Sequence, residues 1–254
     1  MRRNYATAQN TGTDPIQCDA TAIHTAPSGA RAYVLLDGIG RSDEVREWTI
    51  TAARRLARAA SRRADAESGL RHVYQRYAEE RAPWGASGMP KAAAVVAVTV
   101  PGEGLTVAWC GDSRAYLLQA GISRRLTQDH NKRRVFPPTA TSPYGGNRNH
   151  ITSCLGATYT DDELRNYFGH PAIETTTVDI TGPCRLVLAS DGAYEPHEDA
   201  RHDLYTELDD DPLTTVARDF VDLSVSTAIK ATHAVDPNDV YADNATVLLA
   251  DLTP

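Results

Sequence analysis

The sequence lacks most features that would place it in a membrane, outside the cell or around zinc. No apolar run approaches the roughly 18 residues of a membrane span. The chain opens Met1-Arg2-Arg3 but turns polar at once through Asn4, Thr7, Gln9 and Asn10, so no signal-peptide core is expected. Four cysteines (Cys18, Cys110, Cys154, Cys184) are scattered without a Cys-x-x-Cys pair. They read as small buried residues in a reducing cytoplasm rather than disulfides or zinc ligands. Lys91, Lys132 and Lys230 are the only lysines among 26 basic residues, and the formal net charge is -7. That balance argues against nucleic acid as a partner and suits a protein that binds cations. No repeat, low-complexity tract or linker divides the 254 residues, of which 41% are apolar. One domain over 1–254 is expected, with the polar, aperiodic residues 1–15 as a loosely ordered lead-in.

What is present centres on Tyr33-Val34-Leu35-Leu36-Asp37-Gly38-Ile39-Gly40. Four apolar or aromatic residues suit a buried strand. The strand ends in a carboxylate that can be aimed, followed by glycines that let the backbone turn tightly and approach a ligand. The pattern recurs in Leu186-Val187-Leu188-Ala189-Ser190-Asp191-Gly192, and Asp243-Asn244 directly precedes the strand-like Ala245-Thr246-Val247-Leu248-Leu249. Three aspartates at strand edges, far apart in the chain, are the oxygen ligands a hard divalent cation requires.

Hairpins alternate with helix pairs along the rest of the chain. Residues 16–25 and 31–36 read as a hairpin across Pro27-Ser28-Gly29. Ser42 caps a helix whose Val45, Trp48, Ala52, Leu56 and Ala60 recur at helical spacing. A second helix over 64–80 ends at Pro83 to Gly88. Strands follow at 92–100, 105–110, 114–119 and 122–126, then a long Pro-, Gly- and Asn-rich loop at 128–149. An acidic helical segment, strands near 173–180 and 184–189, helices near 197–208 and 212–231 (capped by Asp211) and a last strand at 245–251 complete the chain. The pattern predicts an α+β fold with antiparallel sheets.

Each fragment has a bland reading. Asp-Gly is a common turn dipeptide, Asp243 can cap a turn, and Asp112 can be a turn residue with Arg114 as its ion-pair partner. Together the carboxylates fall at ends of apolar strands where a sheet can converge them. Without a cation they would repel and raise one another's pKa.

At that point the chain resembles the metal-dependent protein phosphatase family, of the protein phosphatase 2C type and bacterial in character. The motifs run in order: Asp19, Asp37-Gly38-Ile39-Gly40, Gly111-Asp112-Ser113-Arg114-Ala115-Tyr116, Leu126-Thr127-Gln128-Asp129-His130, Arg148-Asn149-His150-Ile151-Thr152 with Leu155-Gly156, Ser190-Asp191-Gly192 and Asp243-Asn244-Ala245-Thr246. They span residues 16 to 252. The resemblance implies a four-layer α-β-β-α sandwich with two central, mostly antiparallel sheets and a two-metal site at one edge. It implies that Asp37 bridges two Mn²⁺ or Mg²⁺ ions, that the Gly38 carbonyl binds one and that Asp191 and Asp243 bind the other. Asp19 would hold metal waters, and Asp112 a weaker third ion. It further implies hydrolysis of phosphoserine or phosphothreonine by metal-activated water, with a phosphorylated protein as substrate and a cognate protein kinase as counterpart. No protein nucleophile is required, and no Cys-x5-Arg loop is present.

Four positions depart from the family pattern. Cys18 stands where many members have Glu, and Asp14 where many have a phosphate-binding Arg. Ile39 replaces a His common in eukaryotic members, as in bacterial relatives. The segment from Asn131 to Arg148 is short for the family's flap. Its basic run Lys132-Arg133-Arg134 is either a steering patch for an acidic or phosphorylated peptide or a solvated loop cluster. His130 and His150 read as structural, and His24, His197, His202 and His233 as surface residues. Two further readings stand beside the protein phosphatase: a pseudophosphatase that binds phosphoproteins, and a phosphatase of a small phosphate ester.

Overall fold

The computed structural model describes residues 4–81, 88–210 and 212–254. One five-stranded sheet has the order β2 (Ala20–Thr25), β3 (Arg31–Gly38), β4 (Ala92–Thr99), β5 (Leu105–Cys110) and β8 (Glu174–Val178). The other has the order β1 (Tyr5–Asn10), β10 (Ala245–Leu252), β9 (Cys184–Ala189), β6 (Arg114–Gln119) and β7 (Ile122–Arg125). Every strand pairing is antiparallel.

The period-2 alternation of the strands decides which face each residue serves. Tyr33, Leu35, Val95, Val107 and Trp109 of the first sheet meet Leu117, Leu186, Leu188 and Leu248 of the second in a core between the sheets. The alternate residues of β3 and β4, Val34, Leu36, Val96 and Val98, face outward against α1 (Asp43–Arg63) and α2 (Ala66–Arg81). On the other side Val187, Ala189, Val247 and Leu249 pack under α5 (Asp191–Asp199), α6 (Leu204–Leu208) and α7 (Leu213–Val235). The result is the expected α-β-β-α sandwich. The short helices α3 (Lys132–Val135) and α4 (Asp161–Phe168) lie in the connection between β7 and β8. In α1 the Ser42 side chain accepts from the Val45 N–H, as its sequence predicts.

The structure corrects three local expectations. Tyr5–Asn10, expected to be a loosely ordered lead-in, is an edge strand in register with Asn10 opposite Ala245 and Tyr5 opposite Ala250. Its Ala and Thr residues carry little apolar contrast, and the partner that orders it is some 240 residues away, so local pattern could not reveal it. The helix expected near 197 begins at Asp191, immediately after β9, and extends through Pro196. His197, expected on the surface, is fully buried, stacked on Phe220 at 4.1 Å between ring centroids. The expected helix break at Pro83 to Ser87 and the expected cap Asp211 lie outside the described residues.

Arg114 pairs with Asp129, not Asp112. It makes a two-pronged bond to that carboxylate (Nε–Oδ1 2.9 Å, Nη2–Oδ2 2.8 Å), reaches Glu198 and lies 3.7 Å from the centroid of the Tyr194 ring. Arg114 is 6% exposed, so the pair is shielded from water and joins β6, the loop after β7 and α5. Removing one partner of such a buried pair leaves an uncompensated charge, at a cost of about 3–5 kcal/mol. Arg114→Met is expected to lose stability on that scale in urea unfolding. Adding Asp129→Asn should recover part of the loss, as a double-mutant cycle would measure.

Candidate metal centre

The strand registers bring the predicted aspartates to one edge of the sandwich. Asp37 and Gly38 end β3 opposite Ala93 and Ala92, and Asp19 immediately precedes Ala20, the partner of Leu36. Asp112 lies in the tight link between Cys110, opposite Ala94, and Arg114, opposite Ala189. Asp191 follows Ala189, which is also the partner of Val247, and Asp243 lies two residues ahead of β10. Five strands thus deliver five carboxylates to the same place.

Two glycines allow the final approach. Gly111 (φ 112°) passes over Ala93, where a side-chain Cβ would lie 2.4 Å from the Ala93 Cβ. This brings Asp112 beside the strand position that faces Asp37. At Gly192 a Cβ would lie 2.3 Å from the Asn244 carbonyl oxygen and 3.2 Å from the Asp243 Cβ. The Asp191-Gly192 and Asp243-Asn244 segments therefore press directly together. Asn244 also ties in the first strand pair, accepting from the Cys18 N–H at 2.7 Å. The Tyr194 hydroxyl holds the loop after β5 by donating to the Asp112 carbonyl at 3.0 Å.

The electrostatics of this edge are those of crowded anions. Burial first, then Asp191, Asp19, Asp112 and Asp243, hold the Asp37 carboxyl well above the ordinary range. Burial and Asp191 do the same for Asp112. Burial pushes Asp19 up to about 8, assisted by Asp191 and Asp243; the Thr246 and Ser190 hydroxyls pull it down without closing a hydrogen bond of ordinary geometry. Asp191 is raised by burial and Asp243, with Asp37, the Gly192 N–H and Arg148 pulling it down. Both Asp19 oxygens and Oδ1 of Asp112 are buried without a hydrogen-bond partner. Buried carboxylate oxygens left unpaired are what a cation and its water shell would satisfy.

Among the described residues no three His, Cys, Asp or Glu side chains close on a single point as a complete cage. The unpaired oxygens of Asp19 and Asp112 are carboxylate donors, the hard ligands that a cation retaining several waters takes. The donor set therefore suits the cation chemistry read from the sequence.

Around this edge the structure gives Asp14 and Arg148 partners, Arg41, Tyr241, Glu195 and Asp199, that the motifs did not single out. Asp14, only 8% exposed, holds Arg41 through Nε–Oδ1 at 3.0 Å, and the Arg41 guanidinium lies 5.1 Å from the centroid of the Tyr241 ring. The Tyr241 hydroxyl is raised by burial and then by Asp243, so Arg41 and Tyr241 border the metal edge. Arg148 lowers Asp191 and is itself held by Glu195 at 2.9 Å and by both oxygens of Asp199 at 2.9 and 2.7 Å.

The basic run is split. Arg134 is committed to Glu174 at 2.6 and 2.9 Å. Arg133 and Arg134 both line a cleft of about 560 Å³ with Arg114, Arg125 and Arg148, while Lys132 does not. His130 is fully buried, 3.0 Å from Glu174 and stacked on His170 at 4.2 Å, so its role is structural. All four cysteines are buried, and none is joined in a disulfide.

The comparisons with known proteins agree with the motif reading. The family model for protein phosphatase 2C matches residues 40–134, a stretch that includes Asp112 and stops short of the other four aspartates. No curated protein matches the sequence. The fold is shared with the serine/threonine phosphatase of S. agalactiae, at 17% identity and TM-score 0.74 over 98% of this chain and 99% of that one. It is shared with the PPM Ser-Thr phosphatase MsPP from Mycobacterium smegmatis, at 21% identity and TM-score 0.70 over 98% and 97%. It is shared too with PppA, a key regulatory component of T6SS in Pseudomonas aeruginosa, at 19% identity and TM-score 0.68 over 98% of each chain. The resemblance to bacterial phosphatases of this family holds in part of the sequence and throughout the fold.

The crowded carboxylates give the metal-free protein a specific pH dependence. With folded pKa values raised above the unfolded Asp value of about 3.9, the folded protein binds more protons between that value and about 8 for Asp19. This contribution to stability is present at low pH and is lost as pH rises through that window. In chelator-treated protein, Asp19→Asn should flatten the fall in melting temperature between pH 5 and pH 8. Saturating Mn²⁺ should raise the wild-type melting temperature most at pH 8. An unchanged pH profile in the variant, with no response to Mn²⁺, would contradict the site.

Proposed function

We propose that this chain is a Mn²⁺- or Mg²⁺-dependent serine/threonine protein phosphatase. The observation that carries the reading is the set of five aspartates at one sheet edge, with buried oxygens of Asp19 and Asp112 left unpaired. Asp37, the Gly38 carbonyl, Asp191 and Asp243 would hold two ions, with Asp19 beyond them on metal waters and Asp112 on a weaker third. Bound there, the ions supply positive charge for the phosphoryl oxygens and bring the pKa of water towards neutrality.

The chain's own residues do the rest. In the ionised state the aspartates would anchor the cations and accept hydrogen bonds from the water around them. Arg41, positioned by Asp14 and the Tyr241 ring, takes the place of the family arginine absent at residue 14 and binds the substrate phosphate. Its side chain is 60% exposed, as a substrate-facing residue requires. No side chain offers itself as a nucleophile. Ser190 and Ser113 are at most 1% exposed, and the Ser190 oxygen is engaged with the Thr246 N–H at 2.9 Å. The substrates are proposed to be phosphoproteins made by a cognate kinase, in the cytoplasm. Among the described residues no helix is long and apolar enough to cross a membrane.

Hydrolysis of p-nitrophenyl phosphate should require Mn²⁺ or Mg²⁺ and stop in EDTA. Asp37→Asn should lower turnover by about a hundredfold or more, the scale of losing an electrostatic group from a transition state. Full metal-dependent activity in that variant would overturn the reading. Absent turnover with intact Mn²⁺ binding would favour the phosphoprotein-binding alternative. Turnover of small esters without phosphopeptides would favour the small-ester one.

Arg41→Ala should raise KM and weaken inhibition by inorganic phosphate, by about three- to tenfold for a partly exposed charged hydrogen bond. kcat should change little, and Arg41→Lys should restore part of the loss. Unchanged KM and phosphate inhibition would remove Arg41 from this role.

A further inference from the structure

A second cleft, of about 400 Å³, opens from the carboxylate edge between α5 and α7. Asp191, Gly192 and Asp243 line one end, so it is continuous with the proposed reaction centre. Its helical walls are built from Pro196 and Ala200 on the α5 side and from Thr227, Ala228, Ala231 and Thr232 on α7, with Tyr241 and Ala242 closing the third side. Small residues where two helices diverge leave the space open; leucines there would fill it. Its volume falls within the roughly 300–1,000 Å³ of pockets that hold small ligands.

The polar groups of this cleft are already engaged. Thr232 Oγ1 donates to the Ala228 carbonyl at 2.9 Å and accepts from the Tyr241 N–H at 3.1 Å, which ties the α7 wall to the segment carrying Asp243. Arg148, at the rim, is held by Glu195 and Asp199. What remains for an occupant is mainly the apolar surface of Pro196, Ala200, Ala228 and Ala231. With Asp191 and Asp243 committed to the cations, the charged residues left among those lining the cleft are Glu195 and Asp199 against Arg148, two acids to one base. An acidic occupant would meet like charge, and an apolar one would find a complementary wall.

We propose that this cleft receives a side chain next to the phosphorylated serine or threonine of a peptide substrate and selects apolar residues there over acidic ones. The proposal rests on the phosphatase reading, which places the phosphate at the Asp191 and Asp243 end. Continuity with that end commits the cleft to a flanking residue of the same peptide.

The test uses the full chain with Mn²⁺ and a set of phosphothreonine peptides differing at one flanking position, Leu, Asp or Lys, on either side. On one side of the phosphothreonine, Leu should give kcat/KM about tenfold above Asp, the scale of discrimination by a single apolar pocket. Ala228→Leu and Ala231→Leu should abolish that preference while p-nitrophenyl phosphate turnover stays within about twofold. Ala231→Asp, on an exposed turn of α7, should shift the preference towards Lys without disturbing the fold. Equal rates for all flanking residues, or an unchanged preference in the filled variants, would overturn the proposal. Fluorescence anisotropy of the same peptides reads the preference independently of turnover. Loss of p-nitrophenyl phosphate hydrolysis in the wild type with the Leu preference intact in binding would therefore defeat the phosphatase reading and keep the cleft.

Discussion

The structure depends on holding five carboxylates together at one edge of a β-sandwich. Burial and mutual repulsion raise Asp19, Asp37, Asp112 and Asp191 above the ordinary carboxylate range. A fold tolerates such a concentration of charge only if something else neutralises it or if the surrounding frame is strong enough to bear it. The frame here is two antiparallel sheets whose facing surfaces are mainly apolar and whose registers leave the edge little freedom to spread. The carboxylates sit on strand ends and tight links rather than long loops, so their positions are set by the sheets.

The packing around that edge is correspondingly close. Backbone meets backbone at Gly111 and Gly192, where a methyl group would collide. Asn244 binds the lead into β2, and Tyr194 binds the loop after β5. Outside these contacts, Arg114 and Asp129 lock β6 to the following loop, and Arg148 is held by two acids of α5. Arginines thus surround the acidic edge without entering it, which leaves its negative charge available to cations.

Position 14 shows how one change can be read through its neighbours. An aspartate where the family carries a phosphate-binding arginine leaves two readings from sequence alone: weak phosphate binding, or an arginine supplied from elsewhere. In the structure Asp14 is the group that holds Arg41 beside Tyr241. Under the proposed function, the charge absent from one segment would come from another that follows Asp37 and Gly38. The relation links two positions that no local motif joins.

Much of the fold was legible because each strand and helix encodes its own face. The alternation in Tyr33 to Leu36 and the helical spacing of Trp48, Ala52 and Leu56 placed these segments correctly, and Asp37, Asp191 and Asp243 stood out as acids ending apolar runs. Their convergence was also anticipated, because apolar strands of similar length must stack with their ends together. The pairing of Tyr5–Asn10 with β10 was not legible, since that edge strand has weak alternation and a partner some 240 residues away. Nor was the exchange of Arg114 from Asp112 to Asp129, the start of α5 at Asp191, or the cleft beside α7. Sequence by itself determined which residues are apolar, which are acidic and where each strand ends, because these follow from local periodicity. Tertiary structure alone decided which acids share a field, which arginine answers which carboxylate and where space remains unfilled, because those depend on the register and close approach of segments far apart in the chain.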